Sequence, residues 1–239
     1  MYRILACLAL ITPTFATADE DRFVASNVYA TFYHELAHAL VDVAQVPIFG
    51  QEEDAADVLS VMLITETWDE ERAVEMAYDA AFGFSTDPEA DAEYSTFWGV
   101  HDPDVRRYYN LVCLFYGANP DEREDILDEL GLPDERAETC PEEYDQALGS
   151  WGAVLDELAE SDDSGELFLV GEDPLLRETL AEEIAWLNEE FSFPQDIPVL
   201  LDYCGEPNAF YDPNNQEIIM CIEYPVYLRE FYQDALGNM

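Results

Sequence analysis

Two of the three histidines in this 239-residue chain stand four positions apart in TFYHELAHALVDV, residues 31–43, with a glutamate directly after the first. On a helix, residues four apart lie one turn apart on the same face, so His34 and His38 can turn ring nitrogens toward a single ion. Glu35 then stands beside that ion, placed to hold a water and take its proton. This is the H-E-x-x-H pattern of metal-assisted hydrolysis, in which zinc lowers the pKa of water to about 7 and the glutamate serves as general base. By chance the pattern arises in on the order of one per cent of chains this long. The competing reading has both histidines filling a core, and the choice turns on a third ligand.

A catalytic zinc site takes three protein ligands and keeps a fourth position open. GQEEDAAD, just downstream, supplies Glu53 and, four residues on and so on the same helical face, Asp57. We read Glu53 as the third ligand of one Zn2+ ion, with Glu52 as its rival. Asp57 is read as the acceptor of the remaining N–H of one histidine, fixing its tautomer and raising its basicity. An acidic helix start in an acidic protein is the alternative for any one of these carboxylates. The third histidine lies in FWGVHDPDVRRYYN. Cleaving an amide calls for a donor to the negative charge that develops on the attacked carbonyl. His101 is the first candidate, with Arg107 and Tyr108 next. Otherwise His101 caps a turn before Asp102 and Pro103, and the arginines pair with carboxylates.

The elements that must hold these groups are readable from pattern. From about Asp21 to Ala44 the sequence has few helix breakers and then meets Pro47 and Gly50, which predicts one mostly buried helix carrying both histidines. A second begins near Gln51, its first turn crowded with carboxylates. Further helices are expected over DEERAVEMAYDAAFGF, VRRYYNLVCLFYG, DEREDILDELG and EYDQALGSWGAVLDELAE. After SDDSG at 161–165 the pattern changes to a strand at ELFLVG, a helix at DPLLRETLAEEIAWLNEEF and a strand at IPVLLDYC. Two strands in NAFYDPNNQEIIMCI follow, joined at Asp212 to Asn215, and a closing helix at PVYLREFYQDAL. The expected class is α+β: a mainly helical domain with a small C-terminal mixed or antiparallel sheet. Residues 19–160 form its helical metal-binding part and 161–239 an α/β part completing the same catalytic unit.

Composition narrows the setting. Arg3, a short apolar run from Ile4 to about Leu10 and the small-x-small site Ala16-Thr17-Ala18 read as a secretory signal over residues 1–18, placing the mature protein in the periplasm or outside the cell. An N-terminal anchor is the weaker alternative, because the run falls short of the ~20 residues a membrane span needs. Most of the apolar segment follows Cys7, the wrong order for lipid modification. Loss of the signal leaves Cys113, Cys140, Cys204 and Cys221, an even set in an exported chain, and sequence neighbourhood favours the pairs 113–140 and 204–221. A four-cysteine zinc site competes, without a C-x2-C pair to support it. The formal charge of −45, with no lysine, repels nucleic acid and anionic lipid, and no stretch beyond the signal could span a bilayer. That charge serves solubility in a salty medium or, on the sharper reading, attracts cationic substrates.

His34-Glu35-Leu36-Ala37-His38 followed by Glu53-Asp54-Ala55-Ala56-Asp57 resembles the H-E-x-x-H plus E-x-x-x-D signature of the gluzincin metallopeptidases. More narrowly, FYHELAHALVDVAQVPIFGQEEDAAD, RRYYNLVCLFYG and CGEPNAFYDPNNQEIIMCIEY are similar to a family of exported bacterial metallopeptidases of uncharacterised function. The resemblance implies a zincin-like fold, peptidase chemistry and a peptide or protein substrate, without naming that substrate. It also implies a departure: gluzincins place a twisted sheet before the metal-binding helix, and here little mature chain precedes His34. NAFYDPNNQEIIM resembles the strands that neprilysin-like enzymes carry upstream of their motif. The expectation is therefore a permuted order, with residues 166–223 folding back beside the metal. Asn208 and Ala209 would then bind a peptide by strand addition, with Tyr211 near. The alternative is an ordinary disulfide-tied hairpin. Two other functions remain open: a catalytically inactive, metal-containing binding protein with an acidic surface, and a zinc amidase acting on a non-protein amide.

Overall fold

The computed structural model describes residues 14–83 and 103–237. Its first element is the longest, helix α1 over Thr14–Val43. It begins earlier than expected because no glycine or proline separates Thr14 from Asp21. Phe23, Val28, Phe32, Tyr33, Leu36, Ala37 and Leu40 are all buried, spread over so much of the circumference that α1 is a central helix rather than a surface one. It ends with Gln45 in the left-handed region, φ 53°, where the Val46 N–H reaches back to the Val41 carbonyl at 3.1 Å. Pro47 and Gly50 then carry the chain to α2, Glu52–Thr67, whose first turn holds Glu52, Glu53 and Asp54 against the positive end of the helix dipole.

Helix α2 runs antiparallel to α1. Ser60 Oγ donates to the Ala30 carbonyl at 2.7 Å, while nearer the loop Glu52 reaches His38. Around this pair stand α3 (Glu70–Gly83), α4 (Asp104–Ala118), the short turns α5 (Asp125–Glu129) and α6 (Asp134–Ala137), and α7 (Cys140–Glu160). Only five residues of DEREDILDELG are helical, because the chain turns at Gly131, φ +66°, and then meets Pro133. Helix α6 has no counterpart in the expectation; four residues are too few to leave a periodic pattern.

The second half supplies β1 (Leu167–Val170), α8 (Pro174–Glu190), β2 (Ile197–Asp202), β3 (Ala209–Asp212), β4 (Glu217–Cys221) and α9 (Tyr224–Gly237). Asp173 caps α8 by accepting the Leu176 N–H at 2.9 Å. The sheet order is β1-β2-β4-β3, with β1, β2 and β4 parallel and β3 antiparallel to β4. The parallel β1–β2 pair needs a crossover, which α8 provides. Strand β3 is therefore an edge, and it is the edge that faces α1. The class is α+β, and its strands follow the histidine helix in the chain.

One hydrophobic cluster joins both halves, from Phe23 and Leu59 to Leu180, Val199 and Met220. A smaller one surrounds the disulfide Cys113–Cys140, and Cys204–Cys221 ties the chain after β2 to the end of β4; both bridges are the expected ones. At Gly165 a Cβ would come within 2.2 Å of the Gln195 carbonyl, so the loop before β1 requires glycine.

Arg123 joins α3 to α4 from a position 3% exposed. Its guanidinium donates to the Phe115 carbonyl at 2.6 Å and to both Glu70 oxygens at 2.7 and 2.9 Å. Glu70 is partly solvated, so the ion pair itself counts for little and the buried carbonyl for more. Arg123→Ala is expected to lower the unfolding free energy by about 2–3 kcal/mol, measured by urea titration; a loss below half a kilocalorie would show that water replaces the guanidinium.

Candidate metal centre and cleft

Thr31, His34, Glu35 and His38 fall at helical spacing on the face of α1 that looks toward α2 and β3. Each histidine is held from behind by a carboxylate: His34 Nδ1 lies 2.9 Å from Asp57 Oδ1 and His38 Nδ1 lies 2.8 Å from Glu52 Oε1. An ionised carboxylate only accepts, so both Nδ1 atoms carry hydrogen, and in a neutral ring each Nε2 then presents its lone pair forward. Those two Nε2 atoms are 3.2 Å apart, and Glu53 Oε2 sits 3.2 Å from one and 3.4 Å from the other. With both rings neutral, three acceptors converge here, an arrangement that calls for a proton or a metal cation among them.

The donor set fits zinc. Bonds of about 2.0–2.1 Å in a tetrahedron place neighbouring ligand atoms roughly 3.3–3.4 Å apart, close to the separations found. His34, His38 and Glu53 are also the residues that bring one ligand atom each within 4.8 Å of the others. Glu53, rather than Glu52, reaches this point; Glu52 is engaged behind His38. The remaining cluster of this kind among the described residues, Cys204, Cys221 and Glu223, has its two sulfurs joined to each other.

The electrostatics favour positive charge at the same place. Burial opposes a charge on His34, yet its bonds to Asp57 and Glu53 outweigh that and raise its pKa to about 9. His38 is raised likewise, with burial overcome by Glu53 and Glu52. Asp57 would be raised by burial, but Arg107 and His34 hold it down at about 2. Arg107 makes a two-pronged contact with it, Nε to Oδ2 and Nη2 to Oδ1, both at 2.8 Å. Glu35, 7% exposed, is pushed up by burial against the pull of both histidines, with a small opposing influence from the Tyr211 backbone N–H.

Strand β3 also borders the site. Cys221 N–H donates to the Asn208 carbonyl at 3.1 Å, which sets the phase of the β3–β4 ladder; alternation then turns the backbone groups of Ala209 and Tyr211 to the free edge, toward α1. The Ala209 N–H is taken by Asn208 Oδ1 at 2.9 Å, and the Tyr211 hydroxyl donates to Asp42 Oδ2 at 2.6 Å on the last turn of α1. Between helix and strand lies a cleft of about 1010 Å3 lined by His34, Glu35, His38 and Glu53, by Asn208, Ala209 and Tyr211, and by Arg107 and Tyr224.

Of the candidates from sequence, the structure brings together His34, Glu35, His38, Glu53, Asp57, Arg107, Asn208, Ala209 and Tyr211. It does not bring Tyr108, whose hydroxyl donates to the Leu130 carbonyl at 2.9 Å and whose ring packs in the smaller cluster. His101 lies outside the described residues. From the sequence Glu52 is only a rival ligand, Arg107 is an oxyanion donor or a partner of some carboxylate, which the structure shows to be Asp57, and Thr31 and Tyr224 are passed over. Thr31 was findable by helical period. Tyr224, which meets it across 193 positions, left no local signal.

A family model described as "Putative metallopeptidase" matches residues 11–155 and 165–236, and the chain belongs to that family. No curated protein and no solved structure matches the chain.

If Asp57 orients His34 as the distances indicate, Asp57→Asn should weaken zinc binding roughly 10- to 100-fold in competition with a chromophoric chelator. Glu53→Gln should lose more than Glu52→Gln. An unchanged affinity in Asp57→Asn would show that the buried carboxylate serves only Arg107.

Proposed function

We propose that the protein is an exported zinc-dependent peptidase, in which His34, His38 and Glu53 hold the ion and Glu35 is the general base. The observation that carries this reading is the approach of two Nε2 atoms and one carboxylate oxygen to 3.2–3.4 Å in a cleft that also holds a buried glutamate and an edge strand. Membership of a metallopeptidase family supports it. A zinc ion held here supplies a Lewis acid that polarises a carbonyl and makes water a better nucleophile near neutral pH.

The protein's own groups do the rest. Glu35 takes a proton from the attacking water as the new C–O bond forms, and it returns that proton to the amine nitrogen as the C–N bond breaks. Burial raises its proton affinity, which suits a group that must accept a proton and then give it up. The Tyr211 backbone is near enough to act on that carboxylate, so the edge strand stands beside the base. A peptide lying along β3 in extended form would bring a carbonyl under Glu35, with the Ala209 carbonyl and the Asn208 amide available to its backbone. Asp57 and Arg107 act behind His34: the guanidinium keeps Asp57 ionised, and Asp57 keeps the Nδ1 hydrogen in place. Asp42, Glu52 and Asp104 also line the cleft, and with a formal charge of −45 they favour peptides carrying cationic side chains.

Two disulfides support export to an oxidising compartment, and no described helix is long and apolar enough to cross a membrane. Residues 19–160 and 161–239 then form one catalytic unit, since both line the cleft.

The deciding experiment joins metal analysis of the purified protein to a peptide-mixture cleavage screen. Wild type should carry one zinc per chain and cut peptides. Glu35→Gln should keep its zinc and lose about 10²- to 10⁴-fold in kcat. A wild-type protein without zinc, or a Glu35→Gln variant as active as wild type, contradicts the proposal.

A further inference from the structure

Among the described residues, most tyrosine hydroxyls with a hydrogen bond give their proton to a fixed acceptor. Tyr29 and Tyr108 donate to the carbonyls of Thr179 and Leu130, and Tyr78, Tyr144 and Tyr211 donate to Glu129, Glu66 and Asp42. Tyr224 differs. Its oxygen lies 2.9 Å from Thr31 Oγ1, a hydroxyl that can donate as well as accept. When Thr31 donates, the phenol proton is left to point elsewhere, and elsewhere is the cleft that Tyr224 lines with His34, Glu35 and His38.

Its placement is fixed on three sides. Tyr224 opens α9 directly after β4, whose last residue is locked by Cys204–Cys221, and the Ile222 N–H is held by the Asp202 carbonyl at 3.0 Å. Leu228, one turn on, is 3% exposed against the core. Thr31 stands one turn before His34 and Glu35 on the same face of α1, where side chains three and four apart are neighbours. Burial pushes the Tyr224 phenol up to about 12, eased by the Thr31 bond, and the charges of Arg107 and Glu35 both reach it. The group is therefore a neutral O–H donor throughout the range in which a peptidase works.

We infer that Tyr224 is a further catalytic residue, giving its O–H as a hydrogen bond to the carbonyl oxygen of the peptide bond under attack, with Thr31 as its positioning partner. The inference rests on the peptidase reading above. As water adds to the carbonyl carbon, the C=O π pair moves onto oxygen and the phenol hydrogen bond strengthens without proton transfer; when the C=O reforms and the C–N bond breaks, it relaxes. This is the role for which the sequence put His101 first.

The test is Tyr224→Phe, which keeps the ring and removes only the hydroxyl, assayed on the peptide that wild type cuts best in a mixture. Zinc content should be unchanged, and kcat/KM should fall about 10²- to 10³-fold, mostly in kcat. Affinity for a phosphonamidate dipeptide, which carries tetrahedral oxygens where the oxyanion forms, should fall in step. Thr31→Val, which only loosens the phenol, should lose less than Tyr224→Phe. Phosphonamidate affinity and kcat/KM within about threefold of wild type in Tyr224→Phe overturn the inference and leave the peptidase reading standing; so does loss of zinc in that variant, or an equal loss in both variants with phosphonamidate affinity unmoved. If no peptide is cut, the phosphonamidate comparison alone decides. A wild type that holds no zinc and binds no phosphonamidate overturns both.

Discussion

Everything at this site depends on two imidazoles being turned the same way. The Nδ1 hydrogen of each is committed to a carboxylate behind it, Asp57 for His34 and Glu52 for His38, so in the neutral ring the lone pair of each lies on Nε2, facing the other. Without those two bonds the rings could exchange tautomers or rotate, and the lone pairs would not converge. The two helices make the commitment possible: α1 offers His34 and His38 one turn apart, and antiparallel α2 offers Glu52, Glu53 and Asp57 from its first two turns. Glu53 then points between the imidazoles while its neighbours point behind them.

That arrangement is costly for an empty protein. Six carboxylates, Glu35, Asp42, Glu52, Glu53, Asp57 and Asp104, border one cleft, and Arg107 is committed to Asp57. Raised proton affinity at both histidines and at Glu35 expresses the same imbalance. A divalent cation offsets it where protons otherwise would, so ion and fold support one another. Because the chain has no lysine, each arginine has many acids to choose from, and Arg107 is spent on Asp57, whose side chain is 14% exposed behind His34.

Much of this was legible in the sequence, for a physical reason. Helical period is local, so H-E-x-x-H on one helix and Glu53 with Asp57 on the next could be read as faces, and Pro47 with Gly50 as the turn between them. Period-two runs and the turn at Asp212 to Asn215 gave β3 and β4, and cysteine neighbourhood gave both disulfides. Long-range choices were less readable. Nothing local says that Arg107 selects Asp57 among 54 acidic residues, that the Tyr108 hydroxyl turns away to Leu130, or that Tyr224 reaches back to Thr31. The edge strand lay between these extremes: a familiar-looking NAFY segment suggested a strand, and only the β3–β4 register shows which of its backbone groups face α1.

The most direct measurement of the central claim is zinc-edge X-ray absorption on the purified protein. The account predicts one zinc per chain in a shell of nitrogen and oxygen at about 2.0 Å, with outer-shell scattering from two imidazoles that drops to one in His38→Ala. A protein that retains no zinc after dialysis, or a zinc shell containing sulfur, would contradict it.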